Sequence, residues 1–296
     1  MNKFCPNPDC AFPFNLIRDG YFRRKEDSKI VQRFRCKTCG KRFSNATFSE
    51  TYYQKKRRIN FRFLEFYSGG LSIARSARIL GVNPKTVARR VSFLGKKCAR
   101  LNLKAREKRK NIHNVVMDDL ITKENSKLKP LSVSLAVDED SRRILGIEVS
   151  QIPAFGHLSK IALKKYGYRP SGHLEALDRL FESIAPLLSP EVLIKTDEHK
   201  SYPYVISKYL PRSKHEAYKS ERAHVAGQGE MKKVAFDPLF TINHTCAMLR
   251  ANINRLMRKT WCTTKKIERL KDHLEIFQYY YNEIYLKEVT PIRGGS

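Results

Sequence analysis

A chain of 296 residues, 41% of them hydrophobic, suits one large domain or two to three small ones and can build a packed core. Its net charge of +29 therefore sits on a folded protein, which excludes a disordered polycation. No apolar run approaches the roughly 20 residues of a membrane span, and no signal peptide is visible, so a cytoplasmic protein is expected.

The charge is unevenly spread. Residues 1–110 hold 29 Lys/Arg against 7 Asp/Glu, a net of +22, while residues 111–296 hold 29 against 22, a net of +7. The first third thus carries the footprint of a polyanion-binding surface. A membrane-surface protein would instead place such charge on an amphipathic helix with a strongly apolar face. Here the basic residues lie among cysteines and turn signals.

Residues 1–50 hold two cysteine knuckles, Cys5 with Cys10 and Cys36 with Cys39. Seven cysteines in a cytoplasmic chain argue for metal ligands or free thiols, not disulfides. Four thiolates in two pairs can close a tetrahedral zinc shell, with short strands expected at Phe22 to Arg24 and Val31 to Arg35. A closed shell leaves no open position, so this zinc ribbon is structural.

Residues 56–102 read as three helices. The first begins at Ile59 and stops at Ser68-Gly69-Gly70, and the second carries Ile73, Ala77 and Leu80 and closes at Gly81. Asn83 caps the third, Pro84 takes its first position, and Val87, Val91 and Leu94 form its inner stripe. A short helix, a glycine turn and a basic helix form a helix-turn-helix pattern, placing Lys85, Thr86, Arg89 and Arg90 for the major groove, with Lys96 and Lys97 also outward. A small three-helix domain with a solvated basic face shares this pattern. Residues 103–111 read as a basic linker or helix extension.

Residues 112–290 alternate between strand and helix signals. Val115 to Asp118 suits a buried strand, and Leu131 to Val137 and Arg142 to Val149 a hairpin around Asp138 to Ser141. Residues 172–186 read as an amphipathic helix with Leu174, Leu177, Leu180, Phe181 and Ile184 inward. Val192 to Asp197 reads as a strand and Tyr202 to Tyr209 as a helix. Asp237-Pro238 opens a long helix with Leu239, Ile242, Cys246, Leu249, Ile253 and Leu256 inward, and Thr263 to Leu286 forms a last helix. Trp261 is expected in the core. This order is that of an RNase H-like α/β domain. Gly294-Gly295-Ser296 reads as a cloning scar.

Asp118 and Asp197 end two expected buried strands, where open α/β sheets collect ligands. Two carboxylates there can hold the divalent ions that phosphoryl transfer uses. Strand-end acids that cap turns share that position. Asp119 and Glu198 read as supporting or surface acids, and His199, His215, His224 and His244 as solvated or satisfied side chains.

The ordered set of motifs is more specific. The chain resembles transposases of the family named for insertion sequence one and its relatives. The likeness rests on the cysteine knuckles with the run Ser72 to Val87, on Met117-Asp118-Asp119 with Thr196 to Tyr202, and on Ile242 to Arg250 with Leu256 to Thr260. The resemblance implies a bacterial, nucleoid-associated enzyme that binds double-stranded DNA at element ends and target, working as a dimer or higher oligomer. It also implies a third ligand on the long helix, usually Glu, with a basic residue seven positions later. Here that places Asn243 before Arg250, giving a catalytic set of Asp118, Asp197 and Asn243 for magnesium or manganese, with Arg250 as partner. Asn supplies a carbonyl oxygen without charge, so ion affinity falls. Glu230 is the alternative third ligand, and a DNA-binding regulator that has lost the chemistry is the alternative function.

Overall fold

The computed structural model describes residues 4–219, 237–257 and 261–289. Packing divides the chain into Met1–Arg62 and Phe63–Ser296.

The first unit is a three-stranded antiparallel sheet of β1 (Leu16–Arg23), β2 (Ile30–Cys36) and β3 (Arg42–Ser44), in that order. Phe34 lies opposite Phe43 across β2 and β3, with ring centroids 5.8 Å apart. These two rings, with Cys5 and Cys36, are the buried apolar side chains of the sheet and its knuckles. So small a core stabilises little against the chain entropy it must offset.

Helix α1 (Ile59–Ser68) contains the division at Phe63, and the second unit continues with α2 (Ile73–Ile79) and α3 (Pro84–Glu107). Ser72 caps α2 by accepting the Arg75 N–H at 3.2 Å, and Asn83 caps α3 by accepting the Lys85 N–H at 2.8 Å. Gly81 turns the chain between them at φ +61°, a left-handed conformation that favours glycine. Val87, Val91, Leu94 and Cys98 of α3 pack with Phe63, Leu64, Tyr67 and Ala77. The helix continues into the expected linker at residues 103–111 and ends at Glu107.

A five-stranded mixed sheet follows, in the order β6-β5-β4-β7-β8. Its strands are β4 (Ile112–Lys123), β5 (Pro130–Asp138), β6 (Ile144–Gln151), β7 (Leu188–Asp197) and β8 (Lys214–Tyr218). β4 and β6 run antiparallel to β5, whereas β7 is parallel to β4 and β8 to β7. Between them lie α4 (Leu158–Tyr166), α5 (His173–Ile184) and α6 (Ser201–Tyr209). The chain closes with α7 (Phe240–Asn252) and α8 (Ile267–Tyr280), extended by a π-helical turn at Tyr281–Tyr285 and a short helix at Leu286–Val289.

Strand alternation sorts the core into two layers. Val115, Met117 and Ile194 pack against α5 and α6 through Leu177, Phe181 and Tyr202. Val116, Leu120, Val133 and Leu135 pack on the opposite face against Ile242, Cys246 and Leu249 of α7 and Leu270, Leu274 and Phe277 of α8. α8 also reaches the first three helices. Ile276 joins their core, His273 stacks on Tyr67 with centroids 3.8 Å apart, and Asn102 of α3 donates to Glu275 at 2.7 Å. Among the described residues, no helix is long and apolar enough to cross a membrane.

Several expectations need correction. The first strand does not stop at Asp118 but runs to Lys123, because Thr122 and its neighbours pair with β5. Leu174 is exposed, one position off the buried stripe of α5. α7 ends at Asn252, so Ile253 and Leu256 reach the core from the following turn. Trp261 is fully exposed. The strand β8 and helix α4 were not expected, for both are short and carry weak apolar periodicity.

Candidate active site

Pairing register brings the two aspartates together. Val116 of β4 lies opposite Lys195 of β7, and two residues further along these parallel strands come Asp118 and Asp197. Asp118 shares the side of β4 that carries Val116 and Leu120, so it faces α7. Asp197 alternates with Thr196 in the same sense: Ile194 faces α5 and α6, and Asp197 faces the other way. The pair therefore occupies one face, where α7 crosses the sheet.

Burial pushes the Asp118 carboxyl up to about 7, and the charges of Asp197 and Asp119 add to the effect. The Asp119 N–H, donating to Asp118 at 2.7 Å, and the charge of Arg250 oppose it. The charge of Arg250 thus reaches Asp118 from α7. Its Nε is buried without a hydrogen-bond partner. Asp197 accepts the His199 N–H at 3.1 Å, which fixes the turn after β7.

Asn243 stands differently. Its Nδ2 donates to Asp237 Oδ2 at 2.9 Å, and Asp237 Oδ1 accepts the Leu239 N–H at 3.0 Å at the start of α7. No hydrogen bond joins Asn243 to Asp118 or Asp197. Next to it, His244 has a buried Nδ1 without a partner, and burial lowers its basicity. Glu230 and His224 lie outside the described residues. Asp237 enters the site's surroundings through its bond to Asn243, a link that its place before a helix gave no reason to expect.

Asp119, expected to be a supporting or surface acid, is the hub of a buried network on the opposite face. Its Oδ1 accepts from Ser132 at 2.7 Å and Ser134 at 2.5 Å, and its Oδ2 from Tyr202 at 3.0 Å, with His173 Nε2 at 2.8 Å. Burial alone would raise this carboxyl, but His173 and the two serines hold it below the usual range. Asp119 in turn helps raise the basicity of His173 against the effect of burial. The serines alternate with Val133 and Leu135 on β5, and that polar file inside an apolar strand is the available sequence signal. The His173 ring meets His199 edge-on at 4.8 Å, which connects this network to the turn that holds Asp197. His215 contacts the Thr196 hydroxyl at 2.9 Å.

In the first unit, the four cysteine sulfurs lie within 4.8 Å of one another. Cys5 to Cys39 is 3.4 Å and Cys10 to Cys36 is 3.6 Å. Tetrahedral zinc with bonds of about 2.3 Å separates its sulfurs by roughly 3.8 Å, so this cluster could hold such an ion. The Cys39 N–H lowers the Cys36 thiol to about 6, the direction that favours a metal-binding thiolate. In the same unit, eight Lys/Arg side chains, among them Lys25, Lys56 and Arg58, line a cleft of about 820 Å³ with a single acid, Glu26.

On α3, Lys85, Arg89 and Lys96 are exposed, and Thr86 and Lys97 are half-buried. Arg90 is buried and does not face outward as expected, because it precedes the core residue Val91 on the inner side of the helix. No protein-family model matches the chain, and no curated protein is similar to it at a significant level.

Proposed function

We propose that this chain is a DNA transposase that cleaves and joins strands at a carboxylate pair of an RNase H-like domain. The observation that carries this reading is the juxtaposition of Asp118 and Asp197 on one face of adjacent parallel strands, with the charge of Arg250 on α7 acting on Asp118. The strand order, with three antiparallel strands followed by two parallel ones, supports the RNase H-like assignment. The basic cleft and the exposed Lys85 and Arg89 supply two surfaces suited to phosphates.

The donor set suits hard divalent ions. The charge of Asp197 adds to the proton affinity of the crowded Asp118 carboxylate, so the site gains from a counter-charge. Asp118 and Asp197 would hold the ions, which when bound activate the attacking hydroxyl and stabilise the leaving oxygen. Arg250 balances charge beside Asp118 and can hold a phosphate oxygen. The cysteine cluster, holding zinc, keeps the N-terminal unit folded and takes no part in the reaction.

A second reading, a DNA-binding regulator without catalysis, is favoured by one observation: Asn243 is engaged with Asp237 and not with the aspartates. The two are separated by incubating the protein with supercoiled plasmid and labelled DNA ends from the flanks of its own gene, in magnesium or manganese. Nicked and joined products that vanish in Asp118→Ala and Asp197→Ala are the expected result. Specific binding with no cleavage in either metal would establish the regulator.

A further inference from the structure

The connection from β6 to α5 carries a feature that the carboxylate pair does not use. Residues 149–174 contain no Asp or Glu, while Lys160, Lys164, Lys165 and Arg169 are all basic. Within it, Phe155 is 66% and Tyr168 82% exposed, and Ile161 and Leu163 of α4 also face solvent. Exposed rings and cations that share one acid-free segment suit an interaction site.

The segment is fixed in place. Arg169 pairs with Glu124 at 3.2 Å, and the Lys129 ammonium lies 4.5 Å over the Tyr166 ring. Phe155 and Leu158 line a cavity of about 220 Å³ with Ile121, Lys123, Lys127 and Met257. These contacts dock the segment on the far end of the β4–β5 hairpin. β4 extends five residues beyond Asp118 to Lys123, about 17 Å at strand rise, in the direction in which β7 ends at Asp197. The segment also ends at His173, whose ring touches His199 at 4.8 Å, next to Asp197. It therefore borders the same end of the sheet as the carboxylates.

We propose that residues 149–174 form a platform for an unpaired DNA strand leaving the cleavage point, with Phe155 and Tyr168 stacking on bases and the lysines of α4 following the phosphates. This rests on the DNA-processing reading above. Flat rings beside cations suit bases whose faces are uncovered, which a paired duplex does not offer. A second copy of the chain is the poorer occupant, because two acid-free basic segments repel. An anionic lipid surface would satisfy the same charge, but a platform at the same end of the sheet as the aspartates answers to their substrate.

The test measures binding of the full-length, zinc-loaded protein to a fluorescent duplex and to the same duplex with an internal run of unpaired thymidines. The wild type is expected to prefer the unpaired form. In a Phe155→Ala, Tyr168→Ala double variant that form should bind roughly fivefold to a hundredfold more weakly, with duplex affinity unchanged. Lys164→Glu with Lys165→Glu, which leaves both rings in place, should weaken the same form and flatten its salt dependence. Duplex binding without preference for the unpaired form, or a preference that survives both pairs of substitutions, overturns the platform alone. Loss of all DNA binding in the wild type overturns the DNA reading itself. Binding to vesicles of anionic lipid that the ring substitutions abolish, with DNA binding unaffected, assigns the segment to membranes and also overturns the platform.

Discussion

Asp118 and Asp119 are neighbours that do opposite things because a strand turns successive side chains to opposite faces. Asp119 is surrounded by donors and stays charged, whereas Asp118 is half-buried beside other acids and resists ionisation. An acid whose folded-state pKa lies above its unfolded value of about 3.9 holds more protons folded than unfolded between the two. Stability therefore falls as pH rises from about 4 to about 7, and the loss is complete above that. Asp118→Asn removes this cost. At pH 8 without divalent ions the variant should be more stable than wild type by about 1–3 kcal/mol, with little gain at pH 4, while the proposed cleavage should be lost. Urea midpoints at the two pH values check this, and equal midpoints throughout would show that Asp118 ionises without penalty. The sequence pointed to Asp118 and Asp197 through apolar runs ending in acids. It could not reveal the partners of Asp119, because Ser132, Ser134, His173 and Tyr202 converge on it only when three further elements fold together.

Helices α3 and α8 approach closely at Gly95. A Cβ added at Gly95 would lie 2.7 Å from the Asp272 backbone Cα and 2.6 Å from its Cβ. On an exposed helix, Gly→Ala stabilises by about 1 kcal/mol. Here the sign should reverse: Gly95→Ala must separate the helices and should lower stability by roughly 1–3 kcal/mol. A thermal melt at or above the wild-type midpoint would show that the crossing is loose. The caps, the glycine turn and the apolar stripe of α3 were legible because each depends on neighbouring residues. Gly95 offered no such sign, since a mid-helix glycine reads as a weakness until its partner helix, nearly two hundred residues away, is known. Arg90 was misjudged for a related reason: its position on the helix circumference lies at the edge of the buried stripe.

At the level of the whole molecule, the two units depend on different stabilising forces. Phe63–Ser296 has three apolar cores of its own, whereas Met1–Arg62 has a few buried side chains and a four-cysteine cluster. A strong chelator should unfold the N-terminal unit and leave the rest folded, because a unit this small cannot offset its entropy without the metal. Limited proteolysis should then cut within residues 1–62 and spare the remainder, and zinc should restore protection. Uniform resistance after chelation would mean that Phe34 and Phe43 suffice. The strand order was readable only in outline, since β8 and α4 are too short to show a period, and the parallel pairing of β4 with β7 joins residues far apart in the chain.

The length of α3 has a consequence of its own. Its 24 residues span about 36 Å, close to one turn of duplex DNA. Lys85 and Arg89 stand at one end, and at the other Arg106 is bonded to Ser183 of α5 at 3.2 Å. A helix gripped in this way acts as a ruler. On the proposed reading, with its first turn in a groove and the carboxylate pair cutting, the cut would fall at a fixed offset from the sequence that is read. Each residue inserted in the helix would rotate one end relative to the other by about 100° and lengthen the ruler by about 1.5 Å. The offset between recognised sequence and cut would then be set by the phase of a single helix.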